Sequence, residues 1–392
     1  MLKVYCCREG DYMKVAMLPS HDAFLTRREF RLLCRRLTAQ GIQVAIFFFS
    51  RSGSHIPIGL EFKRYPLSLE FGPSRYPLPE PFSLLRAARD VLKYGPDVVH
   101  VWDYEFLPAI AAIYLKILAP GLPLVVSADS FPGLSWSSDN PLIDALASVY
   151  TASIGRFLAS LCDAFVVYSD SFVRDAIRMG VNESKIHVIP LGVDIRKFRP
   201  DLPVAAIRES LGLRPDDVVL LFVGRLVPIK RISLLLKVFK RVARERDDVK
   251  LLIVGDGPLK SLILEAMKED SRILYLGPRE DVNMIMAASD VLILPSRSEG
   301  VPSVILEAQA CGMPVIASRT GGIPDVVKHG RTGLLVDVND LHGLIRALRR
   351  LINNPELRRT MGQEARRLIK ERDFSIENFV AKYIKLYREI SK

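Results

Sequence analysis

Short β-branched and aliphatic runs alternate with stretches of helical spacing along almost the whole chain. Residues 14–18, 43–49, 97–102, 123–127, 164–168 and 186–189 read as strands buried on both faces. Helical spacing lies between them over 27–39, 82–93, 105–118 and 170–179. After a polar stretch at 196–205 the pattern restarts, with strands over 218–223, 249–254, 272–276, 291–294, 315–317 and 333–336. The intervening helices begin near Arg231, Leu259, Asp281, Ser303, Pro324 and Asp340. Such alternation predicts parallel sheets with helices on both faces. Two series predict two doubly wound, Rossmann-like α/β domains, with ligands bound at the carboxyl ends of their strands in the cleft between them. The boundary falls near the Pro- and Gly-containing segment 189–194, giving domains over 1–190 and 191–371. Residues 372–392 form a last amphipathic helix, with Phe374, Phe379, Tyr383 and Tyr387 on related turns, that could cross back to the first domain.

Composition is that of an ordinary globular protein of 392 residues. The net charge of +11 points to an anionic partner, for which nucleic acid, a phosphorylated small molecule and an anionic membrane all qualify. The excess is spread along both halves, and no block of five or six uninterrupted Lys and Arg occurs, which argues against nucleic acid. Cys6, Cys7, Cys34, Cys162 and Cys311 form no C-x-x-C pair, so a zinc site is not expected and a reducing compartment is. The start has no apolar signal-type region. The apolar stretch 107–126 is broken by Pro108, Lys116, Pro120, Gly121 and Pro123, and reads as helix, turn and strand. The expectation is a cytoplasmic protein with at most peripheral contact to the inner face of the plasma membrane.

Candidate chemistry gathers in the second half. Gly224-Arg225-Leu226-Val227-Pro228-Ile229-Lys230 lies between a strand and a helix, where two cations can hold a diphosphate. Gly255-Asp256-Gly257-Pro258 is a tight strand-to-helix turn. Glu299 and Glu307 stand eight apart across Gly300 and Pro302. A helix from about Ser303 offers its N-terminus to a phosphate, and carboxylates beside it suit sugar hydroxyls. Thr320-Gly321-Gly322-Ile323-Pro324-Asp325 is a further glycine-rich turn at the same sheet edge. Each signal also fits an ordinary turn or surface acid when taken alone.

In this order and spacing, together with Ile189-Pro190-Leu191-Gly192-Val193-Asp194, the motifs resemble the retaining glycosyltransferases of family four, over residues from about 186 to 390. The resemblance implies the GT-B fold and transfer of a sugar from a nucleotide diphosphate with retention. It implies Gly224, Arg225 and Lys230 at the diphosphate and backbone N–H groups of Val304 and Ile305 at phosphate. It places Glu307 at the ribose, Glu299 at the donor sugar, and Gly277 near the base. It implies neither a metal nor a separate cofactor. A nucleotide-sugar epimerase and a catalytically idle nucleotide-sugar-binding protein stay open as alternatives.

The family usually starts just before its first strand, as at Met13-Lys14-Val15, which implies that residues 1–12 are an extension or a misassigned start. The first half departs from the family pattern. Residues 18–25 lack the usual Gly-Gly pair, and Ala128-Asp129 stands where a histidine is common. Asp129 is the expected acceptor-side residue, and His100 reads either as a positioning group or as a buried structural side chain. Within 27–37, Phe30, Leu33, Cys34 and Leu37 share one face, while Arg27, Arg28, Arg31, Arg35 and Arg36 take the other with only Glu29 nearby. That basic side reads either as a solvated face or as a contact with anionic lipid headgroups, consistent with a glycan or lipid-linked acceptor.

Overall fold

Most of the continuous apolar runs are buried because they are interior strands of parallel sheets, while the runs at 186–189, 272–276 and 333–336 lie at sheet edges. The computed structural model describes residues 12–19, 27–50, 60–71, 76–104, 109–138 and 140–392. The segments 1–11 and 20–26 lie outside them, and with these the suggested N-terminal extension, Cys6, Cys7 and most of the glycine-free loop.

The strands of the first half are β1 (Lys14–Pro19), β2 (Gln43–Phe49), β3 (Glu61–Tyr65), β4 (Leu67–Phe71), β5 (Tyr76–Pro79), β6 (Val98–Trp102), β7 (Leu124–Ala128), β8 (Ala164–Val167) and β9 (Ile186–Val188). Seven of them form one parallel sheet in the order β3-β2-β1-β6-β7-β8-β9, while β4 and β5 pair as an antiparallel hairpin. The second half contributes β10 (Val218–Val223), β11 (Val249–Val254), β12 (Ile273–Gly277), β13 (Val291–Leu294), β14 (Val315–Ser318) and β15 (Gly333–Val336), in the order β12-β11-β10-β13-β14-β15. Strand order reverses beside β1 in one sheet and beside β10 in the other. These switch points are where the carboxyl ends of an open α/β sheet leave a crevice.

Helices follow the amphipathic pattern. Helix Ile232–Ala243 buries Leu235, Leu236, Val238, Phe239 and Val242, and helix Arg28–Ala39 buries Phe30, Leu33, Cys34 and Leu37. The pattern did not show three further helices or β3, β4 and β5. Residues 141–161 form one helix, Pro141–Tyr150 continued through Thr151–Gly155 to Arg156–Leu161, whose apolar residues are spread around the axis rather than held to one stripe. Helices Ala205–Ser210 and Pro355–Glu371 are short or heavily charged. The edge strand β3 has four exposed residues, Glu61 to Arg64, and so lacks the buried signature.

The two sheets are joined at a double crossing. The Val193 N–H donates to the Phe374 carbonyl at 2.9 Å, and the Ile376 N–H returns to the Val193 carbonyl at 3.0 Å. A Cβ on Gly192 would come within 2.7 Å of the Phe379 side chain, so only glycine permits this approach. Helix Ile376–Ile390, capped by the Ser375 hydroxyl, packs on helix Arg28–Ala39. It buries Phe379, Tyr383 and Tyr387 in the first half of the molecule.

Candidate active site

The site is assembled at the carboxyl ends of both sheets. Strand β10 ends at Val223, and Gly224 and Arg225 follow directly. This turn is held by the 255–258 loop, in which the Leu226 N–H donates to the Asp256 carbonyl at 2.9 Å. Gly255 has φ 139°, and a Cβ there would lie 1.9 Å from the Gly224 carbonyl oxygen, which explains the glycine. Lys230 ends the short turn Pro228–Lys230, and its Nζ sits 2.5 Å from Glu299 Oε1. The Arg297 N–H donates to the Ile229 carbonyl at 2.8 Å, tying the lysine-bearing turn to the segment that carries Glu299.

Beyond Glu299 the chain passes Gly300 and Pro302 and enters helix Ser303–Ala310. Ser303 and Val304, its first two residues, line the central cavity. Ile305 does not. Its side chain is fully buried, and without ligand its N–H donates to the Pro302 carbonyl at 3.0 Å. Gly277 has φ 65° and accepts from the Gly255 N–H; Pro278 and Arg279, which follow it, line the cavity, whereas Gly277 does not.

Glu307 follows one turn into the helix. Burial pushes its carboxyl upward in pKa, opposed by the guanidinium of Arg28, whose Nη1 lies 2.9 Å from Oε1. Arg28 also stacks over the Phe198 ring at 5.6 Å. The 320–325 turn braces this region rather than lining the cavity. The Gly322 N–H donates to the Gly300 carbonyl at 2.9 Å, while Asp325 accepts from the Ser171 N–H at 3.0 Å and from the Ser169 hydroxyl of the facing domain.

Across the cleft, Asp129 follows β7 and accepts from Arg27 Nη1 at 2.7 Å. Asp103 follows β6 with φ 75° and is 2% exposed. Its carboxyl is held well above the ordinary range by burial first and by the nearby Asp129 second, with Arg27 at 3.9 Å opposing. Its Oδ1 has no partner among the described residues. Burial likewise raises the Glu29 carboxyl. Burial disfavours the Arg27 charge, but the carboxylates of Asp129, Asp103 and Glu29 more than reverse this. Arg27 is thus the cationic hub of an acidic cluster.

Two expectations change here. The basic side of helix Arg28–Ala39 is not uniform. Arg27 and Arg28 point into the cleft toward Asp129 and Glu307, and Arg36 approaches Glu377 at 3.9 Å, so three of the five arginines have acidic partners that sequence separation conceals. His100 is withdrawn from the site. It is fully buried, its Nδ1 shares a 2.7 Å hydrogen bond with the Tyr387 hydroxyl, and it packs against Trp102 and Tyr383. Burial lowers its pKa to about 3, so it is a neutral core side chain rather than a proton carrier at the cleft.

The cavity has a volume of about 950 Å³. Arg225, Lys230, Glu299, Ser303, Val304 and Glu307 line one side, and Arg27, Arg28 and Asp129 the other. Helix 141–161 contributes a third, apolar wall through Ile143, Ala147, Tyr150 and Ile154. Sequence reasoning missed Arg27, Arg28, Asp103 and this wall. The available signal for the arginines was position, since the loop after β1 opens at the same sheet edge as the loops after β6 and β7.

A model of the group 1 glycosyl transferases matches residues 204–368, and a model of glycosyltransferase family 4 matches residues 29–197. The chain belongs to glycosyltransferase family 4. This glycosyltransferase is 32% identical over 298 residues to N-acetyl-alpha-D-glucosaminyl L-malate synthase of Bacillus anthracis, covering 75% of each chain. It is 38% identical over 184 residues to an Escherichia coli UDP-Gal:alpha-D-GlcNAc-diphosphoundecaprenol alpha-1,3-galactosyltransferase, covering 45% of this chain and 48% of that enzyme. Sucrose-phosphate synthase of Thermosynechococcus elongatus has the same fold, with a TM-score of 0.78 at 23% identity over 96% of this chain and 99% of that one. The two parallel-sheet domains are those of the GT-B fold.

Proposed function

We propose that this enzyme transfers a hexose-type sugar with retention at the anomeric carbon, without a metal, to a glycan acceptor carried on a lipid or at a membrane. The carrying observation is the convergence of Arg225, Lys230 and the start of helix Ser303–Ala310 on one cavity, with Glu299 and Glu307 beside them. As the bond between the anomeric carbon and the diphosphate oxygen breaks, charge accumulates on the leaving oxygen. Arg225, Lys230 and the N–H groups opening the helix stabilise that charge more than they stabilise the intact donor. Glu299, now paired with Lys230, exchanges this partner for donor-sugar hydroxyls, and Glu307 exchanges Arg28 for the ribose. Asp129, oriented by Arg27, receives the acceptor hydroxyl. That oxygen bonds the anomeric carbon on the face the diphosphate leaves, and its proton passes to a departing phosphate oxygen.

The lipid-linked acceptor is supported by the apolar wall of the cavity and by the diphosphoundecaprenol-linked substrate in the name of the Escherichia coli relative. The test is donor turnover by Lys230→Ala. We expect kcat to fall by about 10² to 10³, the usual effect of removing one group that stabilises developing charge, with the circular dichroism unchanged. Near-normal transfer by this variant would overturn the diphosphate assignment.

A further inference from the structure

The helix that walls the cavity also has a face that none of the described residues covers. Leu142, Leu146, Val149 and Phe157 are 69%, 57%, 65% and 51% exposed. Their spacing of four, three and eight residues puts them on one side of the helix, over a length of about 22 Å at 1.5 Å per residue. Among the described residues, the second domain leaves a single large apolar side chain comparably exposed, Leu264 at 41%. The concentration in the first domain therefore exceeds the scattered exposure every surface shows.

The stripe is continuous with the reaction cavity. Leu146 and Val149 are both exposed and part of the cavity lining, so they form its rim, and Ile143, Ala147 and Ile154 continue the apolar surface inward. Neighbouring helix ends extend the outer patch. Helix Ile110–Leu118 packs against Arg156–Leu161 and leaves Ile117 and Leu118 65% and 50% exposed.

The helix carries two charged residues. Asp144 is engaged by the Ser137 hydroxyl at 2.6 Å and by the Ser138 N–H and hydroxyl at 2.6 and 2.7 Å, and Arg156 lies against Gly180. Burying the stripe in hydrocarbon would thus strip water from no unpaired acid. Residues 141–161 are long and apolar enough to cross a bilayer by length and composition, with 22% buried. Yet the helix starts after β7 and ends before β8, neighbours in one sheet, and Leu158 and Ala159 are packed in the core. It is fixed to the domain surface and would lie along a membrane, not through it.

We propose that the outer stripe of helix 141–161 docks the enzyme on a phospholipid bilayer by apolar insertion, with the cavity rim at the membrane surface. This rests on the lipid-linked acceptor of the reading above, since a sugar anchored in a bilayer reaches the cavity only if its mouth meets that surface. The mode differs from one carried by the arginines of helix Arg28–Ala39, because it needs no anionic lipid.

The experiment is co-sedimentation with phosphatidylcholine vesicles in about 1 M NaCl, where the Debye length is about 3 Å. Wild type and Leu264→Ser should bind alike. Leu142→Ser/Phe157→Ser, which alters no cavity-lining residue, should lose about tenfold or more in partitioning while melting at the wild-type temperature and hydrolysing donor normally. Retained binding by that double variant overturns the proposal. So does binding only to phosphatidylglycerol at low salt that Arg31→Gln/Arg35→Gln abolishes. A wild type that ignores vesicles but forms a dimer dispersed by the double variant assigns the stripe to a second copy of the chain instead, and also overturns it. Transfer to a detergent-solubilised lipid-linked acceptor separates the two readings. Transfer without vesicle binding removes only the docking surface, and vesicle binding without transfer removes only the acceptor class.

Discussion

Glu307 has two partners to serve, and replacing it by Gln separates them. In the ligand-free structure its carboxylate accepts from Arg28 of the opposite domain at 2.9 Å, with the acid side chain 9% and the arginine 34% exposed. In the proposed complex the same oxygens accept from ribose hydroxyls. Glutamine keeps the shape and an accepting oxygen but loses the charge. A hydrogen bond to a charged group contributes about 1.5–3 kcal/mol and a neutral one about 0.5–1.5. Each partner is therefore expected to lose about 1.4 kcal/mol, or about tenfold. Half-exposure of Arg28 reduces the domain-contact share further, so the melting temperature should fall by only about 2–4 °C. Donor KM should rise about tenfold with kcat changed far less, because the ribose is remote from the breaking bond. Steady-state kinetics with varied donor, beside thermal unfolding, reads both. A lowered melting temperature with unchanged donor KM would refute the ribose role and leave Glu307 as a domain contact alone.

Asp103→Asn tests the acidic cluster. Burial raises the native carboxyl, so above the ordinary carboxylate range the folded protein holds a proton that the unfolded chain has released, and stability falls as pH rises. Thermal unfolding from pH 5 to 8 should show the Asn variant gaining on wild type with pH, and a constant difference would contradict the raised pKa. Gly300→Ala would place a Cβ 2.2 Å from the Asp129 carbonyl oxygen, forcing the facing loops apart. Overpacking of this kind costs about 1–3 kcal/mol, and transfer should drop at least about tenfold in a standard activity assay. On the proposed assignment of Arg225 and Lys230 to the leaving diphosphate, EDTA should leave transfer unchanged. Loss of activity restored by a divalent cation would reject that assignment.

The second sheet was readable almost strand for strand, because its strands, the edge strands β12 and β15 included, are short apolar runs that end in turns. The Gly224–Lys230 turn and the two glutamates were legible because their chemistry is local. Arg27 and Arg28 were not, because what makes them site residues is Asp129 and Glu307, one hundred or more positions away and on other elements. The opposite error befell His100. A histidine at a strand end has the sequence context of a cleft residue, and only the terminal helix, folding Tyr387 over it, makes it core. Helix 141–161 escaped because apolar residues lie on its outer, cavity-facing and core-facing sides alike, so no polar face marks the helical period.

That terminal helix also sets a timetable for synthesis. The first sheet is complete once β9 has emerged, yet Trp102, flanked by Phe30 and Tyr168, and His100 lack the cover of Phe379, Tyr383 and Tyr387 until these arrive. At about 5–20 residues per second on the ribosome, the intervening stretch from Val188 to Ile376 delays that closure by roughly ten to forty seconds. For that interval the nascent first domain presents an aromatic surface for a chaperone to shield. The second domain must fold while its neighbour is still open. The first half of the enzyme is therefore closed only after the second has been made.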